Sequence, residues 1–299
     1  MTGVFRCGFV ALIGRPNAGK STLLNRLVGQ KVSITSRRPQ TTRHRILGIH
    51  NESGAQIVYV DTPGLHAGEG NTMNRYMNRA ATGSVEGVDV VVLMITARGW
   101  TAADEPALGV ARRQRCPVIL AINKIDRLEN RTALLPLIEG SRARLAFAEI
   151  VPLSAQTGEG VDELARCLRR YLPEQPAHFP DDQISDRSDR FMAGELVREQ
   201  IFRGYGQEVP YAAAVEIAQF KEEPKLIRIE AVIWVEKTGQ KAILIGKGGS
   251  RLKEVGRRAR LAMQKQFGRK VHLELWVKVR AGWADDVRTL RSLGYSDES

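Results

Sequence analysis

Gly14-Arg15-Pro16-Asn17-Ala18-Gly19-Lys20-Ser21 stands between an apolar run at residues 9–13 and a segment carrying Leu24 and Leu27 at helical spacing. It fits the phosphate-loop pattern in the setting that pattern needs: strand, glycine-rich loop, helix. Glycines let backbone amides close around a phosphate, and the helix N-terminus adds a favourable dipole. In such a loop Lys20 reaches the β- and γ-phosphate oxygens. The Ser21 hydroxyl, followed by Thr22, is placed to ligate Mg2+.

Outward from this loop, apolar runs of strand length recur at residues 57–60, 88–95, 118–122 and 150–153, with helix-length segments between most of them. The alternation predicts an α/β domain: a mostly parallel sheet with helices on both faces, and ligands at the carboxyl ends of its strands. Three more motifs fall at such ends. In Asp61-Thr62-Pro63-Gly64 the acid is suited to hold Mg2+ through water and the glycine amide to touch a γ-phosphate, so that the loop senses that phosphate. In Asn123-Lys124-Ile125-Asp126 the Asp126 carboxylate can accept from both N1–H and the exocyclic amino group of guanine, a donor pair adenine lacks. Asn123 and Lys124 would fix that loop and pack against the base, and Ser154-Ala155-Gln156 would contact guanine through backbone and hydroxyl. Within Gln40-Thr41-Thr42-Arg43 either threonine could complete the metal shell, and Thr42 is preferred. Lys20, Thr42 and Gly64 are then the catalytic set.

These ordered motifs resemble the small GTPase superfamily. One position departs from it: Leu65 stands where many relatives carry a water-orienting glutamine, which implies slow intrinsic hydrolysis or a catalytic group from elsewhere. Asn17 resembles the asparagine that in related GTPases helps hold a monovalent cation against the phosphates, which adds K+ to the expected Mg2+.

Pro173, Pro176 and Pro180, among Asp and Ser residues, mark residues 173–188 as a linker between a domain at 1–172 and a second at 189–299 that includes a C-terminal tail. The second domain reads as helix, two strands, helix, loop, helix, strand. Its loop, Ile245-Gly246-Lys247-Gly248-Gly249, matches the Gly-x-x-Gly loop of a bacterial-type α+β KH domain. Such a loop admits a nucleic-acid backbone of about four nucleotides. Lys247, with Lys253, Arg257 and Arg258 on the next helix, would contact RNA. Ile229, Ala231, Ile233 and Val235 would line the apolar floor of the groove, and Trp234, Trp276 and Trp283 are assigned to packing rather than base stacking.

Charge supports a polyanionic partner. The net charge is +12, and residues 237–270 hold eleven Lys or Arg against the single acid Glu254. A chain of 299 residues suits two domains, and it contains no apolar run of membrane-spanning length. The N-terminus lacks the features of a signal peptide. Cys7, Cys116 and Cys167, odd in number and widely spaced, point to a reducing cytoplasm.

The phosphate loop, residues 40–43, 61–66 and 123–126, and the loop at 245–249 together resemble the Era family of bacterial ribosome-assembly GTPases, over nearly the whole chain. The resemblance implies a GTP-hydrolysing switch that binds the 3′ end of small-subunit (16S) ribosomal RNA and assists 30S subunit assembly and rRNA maturation. It implies a mainly cytoplasmic protein with some peripheral contact at the inner membrane, and a monomer is expected. The linker would swing the KH groove into an RNA-accepting pose when GTP is bound. The alternative is a nucleotide-gated RNA chaperone or scaffold in which hydrolysis is incidental.

Overall fold

The structure, a computed structural model, describes residues 4–64, 72–206 and 208–292. The chain divides into two compact units. In chain order the first runs β1 (Arg6–Ile13), α1 (Lys20–Val28), β2 (Ile46–Glu52), β3 (Ala55–Asp61), α2 (Thr72–Gly83), β4 (Val90–Thr96), α3 (Glu105–Arg112), β5 (Val118–Asn123), α4 (Leu134–Arg142), β6 (Glu149–Leu153) and α5 (Val161–Tyr171). Its sheet has the order β2-β3-β1-β4-β5-β6, with β2 antiparallel to β3 and the remaining pairs parallel. Every residue of β3, β4 and β5 is buried, as expected of strands covered on both faces. Leu23 and Leu24 of α1 and Leu164 and Leu168 of α5 pack on one face, and Ala107 and Leu108 of α3 pack on the other. The strand order reverses at β1, so the β1–α1 turn that carries the phosphate loop opens at the switch point of the sheet.

Two features of this unit depart from the expectation. The edge strand β2 was not among the apolar runs read from the sequence. The supposed linker is, over residues 173–186, part of the first unit. It runs as a strap hydrogen-bonded to the strands. The Pro173 carbonyl accepts the Cys7 amide (3.1 Å), and the Ile184 carbonyl accepts the Ile49 amide (2.9 Å). Between them the fully buried Gln56 amide accepts from the backbone of His178 and Phe179 and donates to the Phe179 carbonyl at 2.8 Å. Prolines stop the strap from joining the sheet as a regular strand, and side chains satisfy its backbone instead.

The second unit runs α6 (Asp189–Gly204), β7 (Ala214–Glu222), β8 (Leu226–Val235), α7 (Thr238–Ile245), α8 (Ser250–Phe267), β9 (Lys270–Val279) and α9 (Val287–Ser292). β7 is antiparallel and β9 parallel to the central β8. α6 starts at Ser188, whose hydroxyl accepts the Phe191 amide. Ile229, Ala231, Ile233 and Val235 are fully buried, in one cluster with Leu196, Val197, Val255 and Met263. They form the core under α6 and α8 rather than the floor of an open groove. Trp283 is also fully buried and donates its indole N–H to the Ala212 carbonyl at 3.0 Å.

Residues Ile34–Thr41 group with this second unit although they lie early in the chain. The nearly buried carboxylate of Glu199 on α6 accepts the Thr35 amide at 3.0 Å, and Arg203, paired to Glu199 at 2.9 Å, donates to the Thr35 carbonyl.

Candidate functional site

Lys20, the first residue of α1, is buried, and its ammonium donates to the carbonyls of Gly14 (2.8 Å) and Arg15 (3.2 Å), arching over the loop. Burial pushes its pKa down to about 8, against the pull of nearby Asp61. The outer side of the loop is held by side chains from other strand ends. Asn123 donates to the Ala18 carbonyl at 2.8 Å, Lys124 donates to the Asn17 carbonyl at 2.6 Å, and Arg15 donates to Thr96 Oγ1 at 3.0 Å while pairing with buried Asp104. Asn17 itself takes a left-handed backbone, φ 62°, uncommon outside glycine. The loop is thus set by the protein itself, the preorganisation that electrostatic stabilisation of a phosphate requires.

Beneath Lys20, residues from three distant segments converge. Ser21 Oγ donates to Asp61 Oδ2 at 2.7 Å and shares a 2.7 Å hydrogen bond with Thr42 Oγ1. Ser33, which carried no signal in the sequence, adds a third hydroxyl, donating to Asp61 Oδ2 at 2.9 Å. Asn25 clamps it there, accepting the amides of Val32 and Ser33 and donating to the Ser33 carbonyl. Thr41 faces elsewhere, bound to Ser36 and to the Arg38 carbonyl, so Thr42 is the threonine at the site. Burial raises the Asp61 pKa, opposed first by Lys20 and then by these hydroxyls. Asp61 Oδ1 is buried without a hydrogen-bond partner among the described residues. A desolvated carboxylate oxygen left open beside two hydroxyls is a hard-oxygen donor set that fits Mg2+.

Beyond the ends of β5 and β6, Asn123 Oδ1 accepts both the Lys124 amide (2.7 Å) and the Ala155 amide (3.0 Å), joining two loops far apart in sequence. Asp126 is exposed, with Oδ1 accepting the Ser154 hydroxyl at 2.6 Å, while Ile125 is buried beneath. Gln156 is exposed, and Arg26 holds its carbonyl at 2.6 Å. Beyond the end of β3, Thr62 donates to the Leu12 carbonyl at 2.9 Å. Gly64 lies so close to Pro16 that a β-carbon there would sit 2.8 Å from its backbone nitrogen. Leu65 lies outside the described residues.

The loop between α7 and α8 is built differently. Gly246, Gly248 and Gly249 all have positive φ (71°, 57° and 76°), which keeps side chains off this turn. Ile245 anchors it to the core, while Lys247 and Lys253 are exposed. Arg257 and Arg258 both pair with Glu254, at 2.9 and 2.6 Å, and these contacts pull its carboxyl down to about 2. Two of the four cations assigned to RNA are therefore already engaged.

A 50S ribosome-binding GTPase family model matches residues 9–124, and a KH domain model matches residues 208–284. The chain is 55% identical to a GTPase Era of Coxiella burnetii over 97% of this chain and 98% of that one. It is 54% identical to GTPase Era of Marinobacter nauticus over 98% and 96%. Among solved structures it resembles a tyrosine-to-alanine variant of Aquifex aeolicus Era bound to GDP and AlF4−, with a TM-score of 0.94 and 41% identity over 98% of this chain and all of that one. An Era in complex with MgGDPNP and nucleotides 1506–1542 of 16S ribosomal RNA matches with the same score and identity over 98% and 99%. With strand-end motifs, a KH module and full-length relatives in agreement, this chain belongs to the GTPase Era family.

Proposed function

We propose that the chain hydrolyses GTP as a timer for binding the 3′ end of 16S ribosomal RNA, assisting 30S subunit assembly and rRNA maturation. The observation that carries the reading is the convergence of Ser21, Thr42 and Asp61 under buried Lys20, in a chain whose other unit presents an exposed Gly-x-x-Gly loop. The relative solved with MgGDPNP and a 16S fragment supports it. In this reading Lys20, Thr42 and Gly64 act on the transferred phosphoryl group. Ser21 and Thr42 hold Mg2+ directly, and Asp61 does so through water. Bound Mg2+ supplies positive charge that stabilises the phosphates. Residues 14–22 and 61–65 surround the phosphates, and 123–126 and 154–156 take the base. Ile245 to Gly249, with Lys253, Arg257 and Arg258, meets the RNA.

The test uses the full chain and a 3′-terminal 16S fragment. Retention of RNA should be stronger with a GTP analogue than with GDP, and by linkage RNA should tighten the analogue by the same factor. Equal retention in both nucleotide states would overturn the timer.

Leu65 offers no group to orient water, so unstimulated turnover is slow. A K+ ion held with the help of Asn17 is the candidate source of the missing charge; equal hydrolysis rates in potassium and sodium buffers would remove it. The same leucine keeps the scaffold reading in play, and absence of stimulation by any ribosomal RNA would favour it. The family reading further makes the chain a cytoplasmic monomer whose basic surface suits peripheral contact with anionic membranes. Among the described residues no helix is long and apolar enough to cross one, and flotation with anionic vesicles tests the contact.

A further inference from the structure

A second concavity lies beside the phosphate loop. Its volume is about 130 Å³, and its lining includes Arg15, Asn17, Thr96, Arg98, Lys124 and Arg127. It shares Arg15, Asn17 and Lys124 with the proposed nucleotide site, but none of Ser21, Thr42, Asp61, Asp126 or Ser154 lines it, so the groups proposed for the metal and for reading guanine face elsewhere. Its charge is lopsided. Among the described residues, Arg15 alone of the four cations has a carboxylate in an ion pair, the buried Asp104, which also accepts from Thr101. Arg98 and Arg127 are exposed and have no ion-pair partner among the described residues. The Lys124 ammonium, tied to the Asn17 carbonyl, has its pKa lowered first by burial and then by Arg127, Arg15 and Arg98 around it, with Asp126 opposing.

The fold places these charges together. Arg98 lies just beyond the end of β4, and Arg127 closes the turn after β5, its amide bonded to the Lys124 carbonyl at 3.0 Å. Adjacent parallel strands therefore deliver both guanidinium groups to the edge that already holds Arg15. Like charges lining one concavity repel, and a concavity that gathers them favours a multivalent anion that can take several N–H donors at once. Arginine suits phosphate better than lysine here, because its planar fork donates two parallel bonds.

We propose that this pocket binds a phosphoryl anion, separately from the nucleotide. A phosphodiester of bound RNA and free inorganic phosphate offer the same chemistry, and the experiment tells them apart.

Full-length protein loaded with GDP and Mg2+ is labelled at arginine with 15N, and the guanidinium Nε–Hε signals are followed by NMR. Arg98→Ala and Arg127→Ala assign their signals. Because GDP already fills the phosphate loop, inorganic phosphate added at constant ionic strength against chloride reports on the second pocket. The expected result is a saturable shift of the Arg98 and Arg127 signals, with the accompanying Arg15 shift lost in the double variant. A saturable shift with phosphate alone names the free ion. One with a 3′-terminal 16S fragment names the phosphodiester. No saturable response to either, or a drift equal to that in chloride, overturns the proposal. So does a double variant that folds by circular dichroism but no longer retains GDP, since Arg98 and Arg127 would then belong to the nucleotide site.

Discussion

The two ligand-facing regions of this chain are built in opposite ways. Around the phosphate loop the working groups are buried and cross-linked: Lys20 on Gly14 and Arg15, Asp61 under Ser21 and Ser33, Asn123 between residues 18 and 155. Around Gly246 to Gly249 they are exposed, and the fixed element is backbone shape. A buried charge with one designed partner has no substitute when that partner is removed, because the cost of desolvation remains. An exposed cation is one contributor to a summed field, screened by salt. Single substitutions should therefore be severe in the first region and graded in the second.

The severest is Lys20→Ala. If Lys20 holds the phosphates as proposed, this removes charge-assisted bonds to them and leaves Asp61 buried without its cation, together about 4 kcal/mol or roughly a thousandfold in affinity. Titration with a fluorescent GDP analogue measures it, and a loss of less than tenfold would break the contrast between the regions. Asp126→Asn comes next. If its carboxylate accepts two guanine donors as proposed, losing it should cost about 3 kcal/mol, roughly a hundredfold. The amide it introduces can donate to a 2-oxo group, so affinity for xanthosine triphosphate should rise. If both nucleotides weaken equally, Asp126 is not reading the base.

The same contrast governs what could be read before the structure was known. The motifs at residues 14–21, 61–64, 123–126 and 154–156 could be placed from the sequence because each follows an apolar strand, and all four fall at the ends of β1, β3, β5 and β6. Ser33 was not, because a serine means nothing until folding brings it 2.9 Å from Asp61. Nor was the strap at 173–186. Its prolines spoke against regular structure, and its backbone bonds go to partners far away in sequence, the Cys7 and Ile49 amides and the buried amide of Gln56. In the KH unit the alternation of β8 correctly marked one apolar face, but alternation cannot say whether helices or a ligand cover it. Helices do. Residues Ile34–Thr41 group with the second unit through Glu199 and Arg203, contacts more than 160 positions apart that no local pattern carries.

A smaller effect separates the regions by pH. Burial pushes Lys20 from its ordinary 10.5 down to about 8 in the free protein, and its proposed role at the phosphates needs it charged. Below about pH 8 the cation is already present and affinity is flat. Above it, binding must take up a proton, so affinity for GDP should fall roughly fourfold from about pH 7 to about pH 8.5. The sign is opposite for the ligand-free fold. The unfolded chain holds this proton up to the ordinary value, so stability rises as pH climbs from about 8 towards 10.5. A GDP affinity flat across that range would mean that burial does not set the charge of Lys20.

The smallest expected change has the opposite direction, and it tests the exposed region most sharply. Glu254 is the one acid among the eleven cations of residues 237–270, and it holds Arg257 and Arg258 at once. If those guanidinium groups serve RNA, the carboxylate competes with phosphate for them. Lys253, with no ion-pair partner among the described residues, does not face that competition. Lys253→Ala should therefore weaken RNA binding more than Arg257→Ala. Glu254→Gln, which keeps the shape and removes the charge, should strengthen binding a few-fold at low salt. Measured as affinity against salt concentration, each further phosphate neutralised steepens the logarithmic slope by about 0.7 for a single strand, so the variant's advantage should shrink as salt rises. An advantage that persists unchanged at high salt would be structural rather than electrostatic. No advantage at all would place Arg257 and Arg258 away from the RNA and leave Lys247, Lys253 and the glycine backbone as the contact.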